Sequence, residues 1–161
     1  MTVDELLARE SIRHTLARYN VFGDRMRVAD LIGLFTEDGI LELEGKTRGE
    51  SVRHVGREGI ARFFEAMRGE GASASEPPAK PPAASGPMFV RHHLTTCHIE
   101  LTGADSADVR AYFTVYTPIG PDHCGVYVDK FRKTGEGWLI AHRQPRVDWT
   151  APNTIFAKAS K

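Results

Sequence analysis

A chain of 161 residues is long enough for one well-buried core and too short for two ordinary domains, so a single domain over residues 1–161 is expected. Lys and Arg total 21, Asp and Glu total 21, and no basic cluster stands out, which argues against nucleic acid as a partner. No apolar run approaches a membrane span and the start, Met1-Thr2-Val3-Asp4-Glu5-Leu6-Leu7, is acidic and amphipathic, so the expectation is a soluble cytoplasmic protein with no membrane partner.

From Val3 to Tyr19 the apolar residues Val3, Leu6, Leu7, Ile12, Leu16 and Tyr19 recur at mostly helical spacing, and Asn20 and Gly23 supply a stop. A second helix is read over Val28–Phe35, with Leu31, Leu34 and Phe35 as its apolar side, before a turn at Thr36-Glu37-Asp38-Gly39. Ile40–Glu44 alternates like a strand; Gly45, Gly49 and Gly56 punctuate the return, and Arg57–Arg68 carries Ile60, Phe63, Phe64 and Met67 at helical spacing. Residues 69–87 hold five prolines and no large apolar side chain, a composition that cannot offset its ordering entropy; they read as a flexible Pro/Ala/Ser loop, placed as a flap over a pocket or a tolerated insertion.

Four strands follow, over Phe89–Leu101, Val109–Thr117, His123–Arg132 and Trp138–Trp149, with turn-like connections that make neighbours antiparallel, and residues 151–161 form a C-terminal tail. Helices first and a long meander last give an α+β domain. Cys97 and Cys124 fall inside strands and lack metal-knuckle or redox spacing; they read as buried thiols, with a cross-strand bridge as the alternative.

The strand Phe89–Leu101 carries the first functional candidate. Read with period two, one face holds Phe89, Arg91, His93, Thr95, Cys97, Ile99 and Leu101, and grows more apolar toward its end. That places His93 toward the core, where an imidazole titrating near neutrality can act as a base or serve as a satisfied core residue. His92 and His98 fall on the opposite face.

In order and spacing, Ala17-Arg18-Tyr19, Gly23-Asp24, Leu34-Phe35-Thr36-Glu37-Asp38-Gly39, Val55-Gly56-Arg57-Glu58-Gly59-Ile60, Arg91-His92-His93-Leu94-Thr95, Gly125 to Phe131 and Gly137 to Arg143 resemble the SnoaL-like family of the nuclear-transport-factor-2-like superfamily. The resemblance implies a cone-shaped, curved mixed sheet wrapped around three helices of the N-terminal half, enclosing an apolar pocket. Relatives such as scytalone dehydratase and the bile-acid dehydratase set an aspartate near the end of the first helix against a histidine on the first long strand. Asp24 and His93 match those positions, and Tyr19 matches a tyrosine of the bile-acid enzyme. Gly23 is expected to break the helix and free Asp24 to turn inward.

In the implied chemistry Asp24 orients His93, which abstracts a proton, and the Tyr19 hydroxyl stabilises developing charge. Tyr127 lies on a strand face, shared with Gly125, Asp129 and Phe131, that resembles the ligand-lining face of scytalone dehydratase. Phe35, Arg146 and Trp149 complete the substrate-binding candidates. The last two are also ordinary strand-end residues, and their odd spacing lets both line a cavity only if the strand bulges, for instance at Pro145. Asp129 is placed to pair structurally with Arg143, and His142 to face the sheet exterior. A second histidine used by scytalone dehydratase has no counterpart in Tyr116-Thr117-Pro118-Ile119, although His123 lies across that turn.

The resulting expectation is a dehydratase-like lyase or isomerase without metal or organic cofactor, acting next to a carbonyl in a hydrophobic, cyclic small molecule. The alternatives are a non-catalytic binding or assembly module of the same fold and the small subunit of a ring-hydroxylating oxygenase. A homodimer or homotrimer is expected, with Val126, Val128 and Tyr112 on the outer sheet face as its contact.

Overall fold

The computed structural model describes residues 1–45, 49–72 and 88–156, the side chains of 69–72 excepted. The element order is α1 (Val3–Gly23), α2 (Val28–Ile32), β1 (Phe35–Glu44), β2 (Ser51–Val55), α3 (Gly56–Ala72), β3 (Arg91–Leu101), β4 (Ser106–Thr117), β5 (Gly120–Thr134) and β6 (Gly137–Thr150). The expected loop thus begins later than Gly69, because α3 continues to Ala72, and its remainder lies outside the described residues.

The strands form one curved mixed sheet in the order β2-β1-β6-β5-β4-β3. All neighbouring pairs are antiparallel except β1 and β6, which run parallel. Helix α1 opens with a capping box: the Thr2 hydroxyl accepts from the Glu5 N–H while the Glu5 carboxylate accepts from the Thr2 N–H. Its second half buries Ile12, Leu16 and Tyr19, whereas Val3, Leu6 and Leu7 are exposed.

β4 shows why the sheet has a defined inner face. Ala107, Val109, Ala111, Phe113, Val115 and Thr117 are all buried at alternate positions. Gly125 on β5 allows a close approach of β6, since a Cβ there would lie 2.0 Å from the Arg146 carbonyl oxygen.

Two expected boundaries move. The second helix stops at Ile32, and Phe35 to Gly39 belong to β1, where the register with β6 shifts between Phe35 and Ile40. This irregularity gives turn-like residues a place inside a strand. Nor does Gly23 break α1: the helix runs through it, Asp24 keeps helical dihedrals, and reversal comes at Met26 with φ +50°. There the Met26 N–H bonds the Gly23 carbonyl and the Arg27 N–H bonds the Phe22 carbonyl, a Schellman closure with methionine at the left-handed position.

Among the described residues no helix is long and apolar enough to cross a membrane. Cys97 and Cys124 are free and half-buried.

Candidate functional site

A cavity of about 570 Å³ opens between the end of α1, α3 and the inner face of the sheet. Leu31, Leu41, Leu43, Phe63, Phe64 and Val90 make much of its wall apolar, a size and character suited to a small organic molecule. A wider depression of about 800 Å³ near Asp4, Leu7, Thr102 and Trp138 carries no imidazole or phenol.

Asp24 reaches this cavity from the end of α1 and meets β3 at His92. Its Oδ1 lies 2.6 Å from His92 Nδ1, and its two carboxylate oxygens also stand 3.3 and 3.2 Å from the His92 backbone N–H. An ionised carboxylate only accepts, so Nδ1 carries the proton and donates, leaving Nε2 as the acceptor of the neutral ring. The Asp24 side chain is buried and that of His92 is 25 % exposed, so the ring is held from behind and open in front.

This corrects the expected pairing with His93. His93 is exposed and sets its ring edge-on to Tyr116, centroids 5.2 Å apart. The cause is a break in register between Leu94 and Cys97, where β3 changes parity relative to β4. Cys97, Ile99 and Leu101 occupy the inner face after the break, but before it that face belongs to Val90, His92 and Leu94. Counting back from the apolar end therefore lands one residue off. The switch of apolar residues from even to odd positions across Thr95-Thr96 is the sequence signal that reveals it.

Tyr19 and Tyr127 both line the cavity, with rings 6.0 Å apart, and Tyr127 stacks on Phe113 at 4.5 Å. Behind them Arg143 lies over both tyrosine rings, 3.9 Å from the centroid of Tyr19 and 4.2 Å from that of Tyr127. Its Nε and Nη2 donate to Asp129 at 3.0 and 2.6 Å, and neither side chain is exposed to solvent. Burial opposes the guanidinium charge, but the adjoining carboxylate more than offsets this and holds the proton more tightly.

Burial also raises the pKa of Tyr19, against the pull of Arg143, and raises that of Tyr127. Both phenols keep their protons and can donate. Asn20 also lines the cavity, and its buried Oδ1 has no partner among the described residues.

The remaining candidates fall elsewhere. Phe35 is fully buried and supports Tyr19 edge-on at 6.0 Å without lining the cavity. Arg146 is exposed and donates to Gln144 Oε1 at 3.0 and 2.8 Å, while Trp149 is 48 % exposed. Alternation explains Arg146, and the register shift between Val147 and Trp149 sets Trp149 opposite Cys124 on the outer face. Pro145 and Val147, opposite Tyr127 and Gly125, take the inner face and turn Arg146 outward; the register shift comes after Val147, not at Pro145. His142, on the outer face as expected, bonds Glu42 at 3.0 Å.

His123, whose direction the sequence left open, lines the cavity, and its ring lies 6.3 Å from that of His92. Its Nδ1 stands 2.9 Å from Oδ1 of Asp122, a fully buried residue that the sequence reading passed over. Adjacent strand residues normally face opposite ways. Here a register shift between β4 and β5, at Val115/Tyr116, lets Asp122 and His123 turn inward together.

Comparison with known proteins follows the same lines. The model of the SnoaL-like domain family matches residues 4–144. No curated protein matches the sequence. Among solved structures, a cystatin-like-fold protein of unknown function from Nostoc punctiforme is 22 % identical, with 98 % of each chain covered and a TM-score of 0.69. A Novosphingobium aromaticivorans protein assigned as a scytalone dehydratase is 19 % identical, covering 98 % of this chain and 99 % of its own, TM-score 0.69. From the same organism, a chain assigned as the beta subunit of an aromatic-ring-hydroxylating dioxygenase is 20 % identical, covering 95 % and 97 %, TM-score 0.69. At these identities the likeness is one of fold.

Proposed function

The chain belongs to the SnoaL-like family, and on that footing we propose that it is a lyase or isomerase in which His92, oriented by Asp24, removes a proton next to a carbonyl of a hydrophobic cyclic substrate. The observation that carries this reading is the 2.6 Å contact between Asp24 and His92 at the edge of an apolar cavity. A carboxylate on Nδ1 fixes the tautomer whose Nε2 accepts a proton, and it stabilises the imidazolium that forms. Tyr19 and Tyr127 supply protonated hydroxyls to a carbonyl oxygen as it gains charge, and the guanidinium behind their rings favours negative charge in front of them. Each step uses groups of this chain.

An open cavity with an oriented imidazole at its edge favours catalysis over a purely structural module, whose interior would be filled by side chains. The test is exchange of the α-protons of 2-tetralone, a bicyclic ketone, followed by proton NMR in deuterated water. The protein is expected to accelerate exchange, and His92→Ala to lower the rate by about 10²- to 10⁴-fold with the fold retained. His93→Ala is expected to leave it unchanged. Equal exchange by the His92→Ala and unaltered proteins would refute the proposed base.

A further inference from the structure

The first residues after β6 do not trail away from the fold. Ala151 is buried, and its N–H donates to the Asp122 backbone carbonyl at 2.7 Å, which ties the end of β6 to the start of β5. From there the chain doubles back. The Thr154 N–H bonds the Ala151 carbonyl at 3.0 Å, and the Phe156 N–H bonds the Thr154 hydroxyl oxygen at 3.1 Å. This turn carries Thr154 and Phe156 into the wall of the cavity, where the Phe156 ring meets that of His123 edge-on at 5.2 Å. Residues 151–156, expected to open a tail, thus form one side of the cavity, and 157–161 lie outside the described residues.

Beyond the Ala151 anchor, the bonds that fasten this turn to the sheet go to one side chain. The Asp122 carboxylate, with no solvent exposure, accepts from the Thr154 hydroxyl at 2.6 Å and the Ile155 N–H at 3.1 Å. Its other partners, the Thr117 hydroxyl at 3.3 Å and His123 Nδ1 at 2.9 Å, belong to β4 and β5. Apolar burial adds little: Pro152 and Asn153 are exposed, Thr154 and Ile155 are half-buried, and Phe156 is 47 % exposed. Such a segment can leave as a unit. Breaking two bonds to one carboxylate frees residues 152–156, while Ala151 keeps its buried place and the sheet keeps its ladder. Asp122 is not stranded by the release, because Thr117 and His123 still donate to it.

We propose that residues 152–156 are a strap, hinged at Ala151 and latched by Asp122, whose release admits a ligand to the cavity and lets it leave. The proposal rests on this cavity being the ligand site. Closed, the strap supplies Thr154 and Phe156 to the wall; open, it uncovers the side of the cavity at His123. A gate and a fixed wall differ in their kinetics. A wall that merely loosens raises the rate of departure alone and weakens affinity. A gate that opens more often raises entry and departure together and leaves affinity nearly unchanged.

The experiment uses the full chain with 2-tetralone as ligand, and reads amide hydrogen exchange and NMR line shapes. In the unaltered protein the Ile155 N–H, bonded to the latch, is expected to be protected roughly 10-fold less, or lower still, than the Ala151 N–H at the hinge. Thr154→Val keeps the side-chain size but removes a charge-assisted bond to Asp122. It is expected to lower Ile155 protection by roughly 10-fold or more and to raise association and dissociation of 2-tetralone by a similar factor, with Kd changed by less than about 3-fold. Thr154→Ser is expected to restore all three. Equal protection of Ile155 and Ala151 overturns the proposal, because the strap then opens only when the end of the sheet does. So does faster dissociation from Thr154→Val with association unchanged, or no change in either rate. If 2-tetralone shows no saturable binding, it is the reading of the cavity as the ligand site that fails, and the two amides still decide whether the strap opens.

Discussion

Three inward-facing carboxylates separate the molecule into two regions. At the centre of the sheet Asp129 is clasped by Arg143, two parallel bonds with no solvent exposure on either partner. At the cavity Asp24 and Asp122 are each matched to a histidine whose ring is partly open. A guanidinium does not give up its proton in a protein, whereas an imidazole does so near neutrality. The identity of the partner therefore decides whether a buried carboxylate is locked in a fixed ion pair or orients a ring that can exchange protons.

The strongest way to break this contrast is to remove the guanidinium. Arg143→Met leaves Asp129 buried without its partner and takes the cation from behind both tyrosine rings. It is expected to cost about 3–5 kcal/mol in urea unfolding, and Arg143→Met combined with Asp129→Leu to recover much of that loss. Asp24→Asn, on the cavity side, is expected to cost about 1 kcal/mol of stability and far more in exchange rate, since the amide no longer fixes the productive tautomer. If Asp24→Asn proves as destabilising as Arg143→Met, the two regions do not differ in kind.

Acidification separates them next. Burial alone would raise the Asp122 pKa, but bonds from Thr154, His123 and the Ile155 N–H, with the charge of His123, hold it below the usual carboxylate value. A carboxyl whose folded pKa is depressed adds stability above its unfolded value, near ~3.9, and loses it as pH falls through the folded one. The stability gap between the unaltered protein and Asp122→Asn is therefore expected to be fully present at pH 6 and to shrink steadily below about pH 4. Asp38 and Glu42 are also depressed but are common to both proteins, so their contributions cancel in the difference. A gap independent of pH would mean that the carboxylate charge is not what seats the C-terminal segment.

The core region was also the more legible in sequence. Gly125, Tyr127, Asp129 and Phe131 alternate without interruption, so their common face follows from period two, and the short turn between β5 and β6 brings Arg143 opposite Asp129. The cavity region resisted the same reasoning, because its histidines sit beside breaks in that period. The shift after Leu94 moved the inward role from His93 to His92, and the one beside Tyr116 brought Asp122 and His123 to one side. Asp24 and Tyr19, singled out by resemblance, both line the cavity, yet the helix was expected to end before Asp24 rather than carry it. Phe35 read as helix because Leu31, Leu34 and Phe35 keep helical spacing up to a strand whose bulge hides its start.

The smallest expected effect lies where the cavity borders α1. Met26 occupies a left-handed conformation in which a side chain costs about 1–2 kcal/mol, and it also lines the cavity. Glycine would relieve that strain while returning roughly 0.5–1 kcal/mol through the greater freedom of the unfolded chain. Met26→Gly is thus expected to stabilise the protein by about 0.5 kcal/mol and to weaken binding of 2-tetralone by about 1 kcal/mol, through lost apolar contact. Opposite signs in urea unfolding and ligand titration would mean that the helix end carries strain in exchange for a wall of the cavity. A loss in both would mean that methionine is there for packing, and that the cavity region is as relaxed as the core.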